Sequence, residues 1–249
     1  MTARIRSTVV LVLLLSAALA ATGPDPAAPR LTARQALGML KAGNDRFARN
    51  ASKPVSMSVL RREELAKGQR PAAMVLSCAD SRVPPEHIFN VGLGDLLVIR
   101  TAGAVVDRSV LATAEYGATE LEIPLLVVMG HESCDAVKAA AEAKRPIESA
   151  NVEYLLRAIQ AARRQVPAAE DQADRDDLKA LVLANVEEVI NDTMAKSPVL
   201  RRLVSAGKLE VVGGYYELVS GRVMFSDPVP PPPAPSPAAK NASPPPAKK

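Results

Sequence analysis

The sequence is poor in several residues that mark common classes of protein. Its 249 residues include no tryptophan and only 3% aromatic residues, which argues against a stacking surface for single-stranded nucleic acid. After residue 20 it has no apolar run long enough to cross a membrane. It contains only two cysteines and two histidines, so a site for a soft metal has few ligands from which to be built.

The central part of the chain also lacks an excess of positive charge. The formal net charge of +4 includes Arg4 and Arg6 near the N-terminus and Lys240, Lys248 and Lys249 near the C-terminus. Without these cationic residues the rest of the chain carries a charge of about −1, which gives no electrostatic footprint for DNA or RNA. Hydrophobic residues make up 48% of the chain, which predicts a packed globular body.

The first twenty residues have the pattern of a secretory signal peptide. Arg4 and Arg6 form a positive region, Val9–Ala18 forms a short apolar run, and Ala18-Leu19-Ala20 fits the small-x-small cleavage pattern. We therefore expect cleavage after Ala20 and a periplasmic or secreted protein, without stable membrane insertion. The alternative is an uncleaved membrane anchor, although the apolar run is short for a membrane span.

Composition divides the rest of the chain into a linker, one domain and a tail. Residues 21–30 are a short Pro/Ala linker, and residues 31–227 have the apolar content of a single folded domain. Ten of the 22 residues in the range 228–249 are proline, so this segment cannot bury a core. We expect it to be a disordered or polyproline tail.

Within the predicted domain, short apolar runs alternate with helical patterns. The runs Ala73–Cys78, Leu96–Arg100 and Leu125–Met129 are rich in Val, Leu and Ile. This alternation predicts an α/β fold, with a mainly parallel sheet buried on both faces and flanked by helices. A further strand pair is predicted at the C-terminal end, over Leu209–Leu218 and Arg222–Phe225.

Polar residues stand at the ends of the three apolar runs. Cys78 ends the first, Arg100 ends the second and His131 follows the third, so all three should meet at the carboxyl edge of the sheet. Cys78 and the His131-x-x-Cys134 motif together supply three zinc ligands, leaving the fourth tetrahedral position for water or substrate. The alternatives are a disulfide between the two cysteines and an ordinary hydrogen-bonded role for His131.

Longer motifs around these residues resemble the β-carbonic anhydrases. Cys78-x-Asp80-x-Arg82 is followed about fifty residues later by Gly130-His131-x-x-Cys134, and the resemblance covers about residues 32–226. The other blocks with this resemblance are Gly68-Gln69-Arg70-Pro71, Val83-Pro84-Pro85-Glu86, Gly94-Asp95, Arg100-x-Ala102-Gly103, Gly207-Lys208-Leu209 and Gly214-Tyr215-Tyr216. The resemblance implies about four parallel strands plus a C-terminal strand, in a homodimer or larger homo-oligomer.

The resemblance also implies an activity, that of a carbonate dehydratase. Such an enzyme interconverts carbon dioxide with bicarbonate and a proton, by attack of zinc-bound hydroxide. By resemblance, one zinc ion per chain binds Cys78, His131 and Cys134, and Asp80 and Arg82 form a catalytic dyad beside the open position. Asp80 would orient the hydroxide and Arg82 would keep Asp80 ionised, whereas the alternative role of the pair is a structural ion pair.

The same resemblance implies a substrate pocket. It places four residues at or near the carbon dioxide: Gln69, Leu97, Gly103 and Tyr116. Gln69 and Tyr116 match the plant-type branch of the family, while Leu97 replaces its common phenylalanine.

Three further positions near the site depart from the family pattern. Asp135 replaces the usual glycine after the last ligand, and Thr101 and Ala104 each replace an asparagine. The sequence therefore indicates the metal more strongly than it indicates the substrate. The alternatives are therefore a hydrolase of carbonyl sulfide or carbon disulfide on the same scaffold, and a non-catalytic homologue that binds zinc or bicarbonate.

Overall fold

A computed structural model of the protein describes residues 30–142, 148–163 and 178–230. The predicted signal peptide, the linker up to residue 29 and residues 231–249 of the predicted tail lie outside these ranges. Within them, the helices are all too short or too polar to cross a membrane.

A five-stranded sheet forms the centre of the described fold. Its strands are β1 (Ala73–Cys78), β2 (Leu96–Thr101), β3 (Leu125–His131), β4 (Glu210–Tyr216) and β5 (Val223–Phe225). They lie in the order β2-β1-β3-β4-β5, and only the short β5 runs antiparallel to its neighbour. The predicted α/β fold, with four parallel strands and one C-terminal strand, is thus confirmed.

Helices surround this sheet. The α-helices of the described residues are α1 (Ala33–Ala48), α2 (Val59–Leu65), α3 (Pro85–Ile88), α4 (Arg108–Thr119), α5 (Asp135–Glu142), α6 (Ala150–Arg163), α7 (Leu178–Lys196) and α8 (Pro198–Ser205). A 3₁₀ turn, Ala102–Ala104, follows β2 directly. Helices α6, α7 and α8 lie between α5 and β4 along the chain, and residues 143–147 and 164–177 of this part are outside the described ranges.

The inner strands β1, β3 and β4 are buried on both faces, which explains why they are apolar without alternation. Side chains of β1 alternate between two core clusters, because successive strand residues point to opposite faces. Val75 packs in the cluster that contains Leu40 of α1, whereas Leu76 packs in the cluster that contains Val110 of α4. All six residues of β1 are buried as a result.

Side-chain caps set the beginnings of several helices. A Thr32–Gln35 capping box begins α1, with the Gln35 N–H donating to the Thr32 hydroxyl at 3.3 Å. Ser58 caps α2 and Ser197 caps α8 in the same manner, with Pro198 at the first turn of α8.

The described fold continues past residue 227, where the sequence places the end of the domain. The backbone N–H of Val229 donates to the carbonyl of Val211 in β4 at 2.8 Å. The Val229 side chain packs against the core cluster on the α4 face of the sheet. The first residues of the predicted tail therefore belong to the folded body.

Candidate metal centre

Three strand and helix ends bring the predicted metal ligands together. Cys78 ends β1, His131 ends the neighbouring β3, and Cys134 immediately precedes α5. One donor atom from each residue lies within 4.8 Å of the other two. All three side chains are buried, and His131 is 0% exposed. The meeting of polar residues at the carboxyl edge, expected from a parallel sheet, is therefore observed.

The two cysteines are free thiols and are spaced as metal ligands. Their sulfur atoms are 3.9 Å apart, compared with about 2.05 Å in a disulfide. Two sulfurs each about 2.3 Å from a tetrahedral zinc ion would be about 3.8 Å apart. The sulfur positions thus fit a shared metal ion better than a disulfide.

His131 has one nitrogen that is satisfied and one that is not. Its Nδ1 lies 2.9 Å from the backbone carbonyl of Glu132, and since a carbonyl can only accept, Nδ1 carries the proton. The buried Nε2 then holds a lone pair, and no hydrogen-bond partner for it is found among the described residues. A histidine whose far nitrogen donates to a carbonyl is a typical metal ligand. The donor set therefore fits a metal ion that accepts sulfur and nitrogen.

The two thiols are coupled through a shared proton. Cys134 donates to the sulfur of Cys78, which lowers the pKa of Cys78, although burial acts in the opposite direction. The same contact and burial raise the pKa of Cys134. A second donor to the Cys78 sulfur is the backbone N–H of Gly103, at 3.3 Å. These two donors favour the thiolate form of Cys78, the form that binds metals.

Asp80 and Arg82 form a bidentate ion pair next to the cluster. Arg82 Nε and Nη2 donate to the two carboxylate oxygens of Asp80 at 2.9 and 2.6 Å, and the Arg82 backbone N–H adds a third bond at 2.9 Å. The Arg82 side chain is the main reason that the pKa of Asp80 is lowered to about 2. Asp80 Oδ2 is 3.9 Å from the unpartnered Nε2 of His131. An ionised carboxylate in a fixed orientation thus faces the site.

Two arginines hold the backbone around the ligands. Arg82 Nη2 also donates to the carbonyl of Ser133 at 3.1 Å, which links the loop after β1 to the loop after β3. Arg100, at the end of β2, donates to the carbonyls of Cys78 and Asp80 at 3.0 and 2.5 Å. Arg100 therefore braces the loop that carries Cys78 and Asp80.

The four residues predicted near the substrate occupy two different places. Gly103 contacts the Cys78 sulfur through its N–H. Leu97 pairs with Met74 in the sheet, whereas Cys78 pairs with Thr101. Leu97 therefore lies four residues, or about 13 Å along the strand, from the level of Cys78. Tyr116 is half-exposed on α4, next to Gly117, which packs close to Leu97. Gln69 is exposed in the segment before β1. The pocket roles of these residues stay predictions.

Of the three positions that depart from the family pattern, two have polar contacts nearby and one has an uncommon backbone conformation. Asp135 is exposed, with its carboxylate 3.7 Å from Arg82 Nη2. The Thr101 hydroxyl donates to the carbonyl of Val105 at 2.8 Å, and Ala104 adopts a left-handed φ of 57°. The second histidine, His87, is exposed on α3.

Sequence reasoning missed two residues that support the ligands. Asn185 in α7 donates to the carbonyl of Gly103 at 2.8 Å. The carboxylate of Glu132 accepts from the N–H of Leu218 at 2.9 Å, which ties the backbone carbonyl bound by His131 to the end of β4. The one signal available for Asn185 is that it is a polar residue at the spacing of the apolar residues on the buried face of α7.

Known proteins with similar sequences and structures agree with this geometry. A family model described as "Carbonic anhydrase" matches residues 73–223. Carbonic anhydrase 2 of Mycobacterium tuberculosis is 38% identical over 194 residues, which cover 76% of this chain and 90% of that protein. The carbonic anhydrase of Mycolicibacterium smegmatis is 37% identical over 190 residues, which cover 74% of this chain and 88% of the relative.

Two solved structures extend the comparison to the fold. The β-carbonic anhydrase of Coccomyxa in complex with acetazolamide has a TM-score of 0.61 and 28% identity, covering 67% of this chain and 77% of its own. One of two tetrameric β-carbonic anhydrases of the ascomycete Sordaria macrospora has a TM-score of 0.58 and 25% identity, covering 67% and 85%. With a family match over most of the described residues and relatives that share nearly their full length, the chain belongs to the β-carbonic anhydrase family.

Proposed function

We propose that the protein catalyses the reversible hydration of carbon dioxide to bicarbonate and a proton, with one zinc ion per chain. Cys78, His131 and Cys134 would hold the zinc. The observation that carries this proposal is the convergence of two sulfurs and an unpartnered, buried His131 Nε2 beside an ionised carboxylate. When bound, zinc supplies an activated water molecule as a nucleophile at neutral pH.

Asp80 is the residue that orients the reacting water in this proposal. An ionised carboxylate accepts hydrogen bonds and donates none, and the pKa of about 2 keeps Asp80 ionised at neutral pH. By accepting a hydrogen bond from that water, Asp80 would turn an oxygen lone pair towards carbon dioxide. The two hydrogen bonds from Arg82 fix the plane of the carboxylate, so that this orientation is ready before the substrate binds.

Apolar side chains surround the ligands and exclude bulk water from them. Val105, Leu156 and Ile159 are buried in the same cluster as Cys78 and Cys134. These three side chains also offer an apolar surface to carbon dioxide, which has no net charge.

We further propose that the active unit contains at least two copies of the chain. Leu97 and Tyr116 lie near the beginning of β2, whereas Cys78 lies beside its end. Within one chain, the two residues are therefore distant from the metal ligands. A second copy that places its β2 edge against the metal centre would allow both to line the pocket. The tetrameric relatives of Sordaria macrospora support an oligomer of this kind.

Export remains a proposal that rests on the first twenty residues. Arg4, Arg6 and the Ala18-Leu19-Ala20 pattern support cleavage after Ala20 and a periplasmic or secreted location. Sequencing the N-terminus of the mature protein tests it. A start at Ala21 in exported material is expected, and an intact Met1 on cytoplasmic protein would contradict export.

One set of measurements tests the activity and the metal together. Zinc content, carbon dioxide hydration by stopped flow and hydrolysis of carbonyl sulfide and carbon disulfide are measured on the same purified sample. We expect about one zinc per chain and a hydration rate that an inhibiting anion or a chelator abolishes. Zinc-loaded protein that hydrolyses only the sulfur compounds, or has no activity at all, would contradict the proposed reaction. A Cys78–Cys134 disulfide in freshly purified, metal-replete protein would contradict the metal site.

A further inference from the structure

A buried asparagine contacts the metal centre indirectly, through one residue of backbone. We propose that Asn185 of α7 is a positioning residue that controls the ligand Cys78 by holding the peptide of Gly103. Asn185 contacts neither the metal nor the substrate in this arrangement. The inference rests on the zinc site proposed above and assigns a role to a residue outside every motif of the sequence.

The connection consists of two consecutive hydrogen bonds on the two sides of Gly103. Asn185 Nδ2 donates to the Gly103 carbonyl at 2.8 Å, and the Gly103 N–H donates to the Cys78 sulfur at 3.3 Å. Asn185 is 5% exposed and Gly103 is buried, so water does not compete strongly for either bond. The orientation of the N–H towards the sulfur therefore depends on how firmly Gly103 is held.

The backbone at Gly103 has an uncommon conformation. Gly103 has a φ of 64° and Ala104 a φ of 57°, so two consecutive residues occupy the left-handed region, where an alanine is disfavoured. A side chain on Gly103 would be strained by this positive φ, and its Cβ would lie 2.6 Å from Ile159 Cδ1, so glycine suits this position. Within the turn, the Val105 N–H donates to the Ala102 carbonyl at 3.4 Å and the Thr101 hydroxyl donates to the Val105 carbonyl at 2.8 Å, but neither bond involves the N–H or carbonyl of Gly103. The Gly103 carbonyl is held by Asn185, 82 residues away in the sequence.

The hydrogen bond to the sulfur has a chemical consequence for a bound metal. An N–H that donates to a thiolate withdraws charge from the sulfur, so the sulfur gives less electron density to the metal. It also fixes the direction of the sulfur lone pairs. Loss of the Asn185 amide should therefore release the Gly103 peptide, make Cys78 a stronger electron donor and orient it less well.

Cobalt(II) substitution measures this effect directly, because thiolate-to-cobalt charge-transfer absorption reports the electron density on the sulfur. The test variant is Asn185→Leu, which keeps a similar shape without a donor. The matched control is Thr193→Val, another buried polar residue of α7, whose hydroxyl donates to the Val189 carbonyl at 2.7 Å. Thr193 lies about 12 Å further along the helix than Asn185. Its substitution by valine removes a buried hydrogen bond that does not involve Gly103.

In Asn185→Leu we expect the charge-transfer band to move to longer wavelength, and the affinity for zinc, measured by chelator competition, to fall by about 10- to 100-fold. In Thr193→Val both should equal the wild type, even if the melting temperature falls. An unchanged band and affinity in folded Asn185→Leu would overturn the proposal. The same change in both variants would also overturn it, because it would then reflect helix stability alone.

Two further measurements keep the proposal open to refutation if Asn185→Leu does not fold. Asn185→Ala, which removes the amide without adding bulk, is expected to shift the same band in the same direction. In wild-type protein loaded with an NMR-active cadmium isotope, the Gly103 amide proton should show scalar coupling to the metal through the Cys78 sulfur. Absence of that coupling would overturn the proposal without any variant. Wild type that binds neither cobalt nor cadmium through thiolates would instead refute the zinc site itself.

Discussion

Asp80 is the residue at which the proposed mechanism and a merely structural role differ most. Asp80→Asn preserves the size of the side chain but removes the charged acceptor that faces His131. We expect the hydration rate to fall by about 10²-fold or more, or roughly 3 kcal/mol, because an oriented catalytic interaction is lost. Zinc content should not change, since the three ligands stay in place. Stopped-flow kinetics and zinc analysis on the same sample measure both quantities.

The control for this substitution is Asp192→Asn. Asp192 also pairs with a cation, Lys196 at 2.5 Å, but this pair lies on the surface of α7. Its loss should leave the hydration rate unchanged and the stability within about 0.5 kcal/mol. A folded, zinc-loaded Asp80→Asn variant with full activity would refute the catalytic role of Asp80 and leave only the metal site.

The metal ligands at the ends of apolar strands could be predicted from the sequence, whereas the residues that hold the backbone around them could not. Cys78 and His131 follow recognisable runs, and the geometry of parallel strands then brings them to one edge. Asn185 sits among Val182, Val186 and Val189 in a helix with no motif. Its partner is a backbone carbonyl 82 residues earlier, and no local pattern encodes that distance.

At the scale of elements, helix α1 contains two glycines in opposite environments. A Cβ on Gly43 would lie directly against the backbone carbonyl of Phe89, whereas a Cβ on Gly38 would meet nothing within 4 Å. Gly43→Ala should therefore push α1 off the α3 segment and destabilise the protein by about 1–3 kcal/mol. Gly38→Ala should stabilise it by about 0.5–1 kcal/mol, since alanine is the better helix former.

Denaturant unfolding of the two variants, with the wild type beside them, measures this difference. The pair controls for the chemical change itself, since both replace glycine by alanine in one helix. Equal effects of the two substitutions would show that α1 does not pack against Phe89 as closely as described. Hydration activity should follow the fraction folded in both variants, because neither residue touches the metal centre.

The sequence predicts where elements lie better than where they end. β1 is found at Ala73–Cys78 as predicted, because both of its faces are apolar. The strand predicted over Leu209–Leu218 is shorter, Glu210–Tyr216, since its limits follow its pairing with Leu125–His131. Strand ends are set by the neighbouring strand, and that neighbour is distant in the sequence.

For the whole molecule, the proposed sharing of sites between copies predicts complementation. Tyr116→Ala alone should lower the hydration rate if Tyr116 lines a pocket, and Asp80→Asn alone should lower it as argued above. In a mixed dimer of the two variants, one site would combine an intact Asp80 with an intact Tyr116 from the other copy. Co-expressed chains should therefore be more active than either variant alone. We expect light scattering to show a dimer or larger oligomer for the wild type.

Val219→Ala is the matched control for Tyr116→Ala, since Val219 is 96% exposed in the loop between β4 and β5. It should change neither the rate nor the oligomeric state. No recovery in mixed oligomers would mean that Tyr116 does not serve the partner's site. A fully active monomer would contradict the shared site altogether.

The C-terminal limit of the folded molecule gives a prediction with two deletions. Removing residues 231–249 should leave the melting temperature and the hydration rate unchanged, because the contacts of Val229 remain. Removing residues 228–249 should destabilise the protein by about 1–3 kcal/mol, since it also removes the Val229–Val211 hydrogen bond and the packing of Val229 on the core. Thermal unfolding of the two truncated proteins, compared with the full chain, distinguishes the boundaries. Equal stability of all three proteins would place the end of the domain at residue 227, as the change in composition alone predicts. An equal loss of stability in the two truncated proteins would mean that residues 231–249 also make contacts that stabilise the fold.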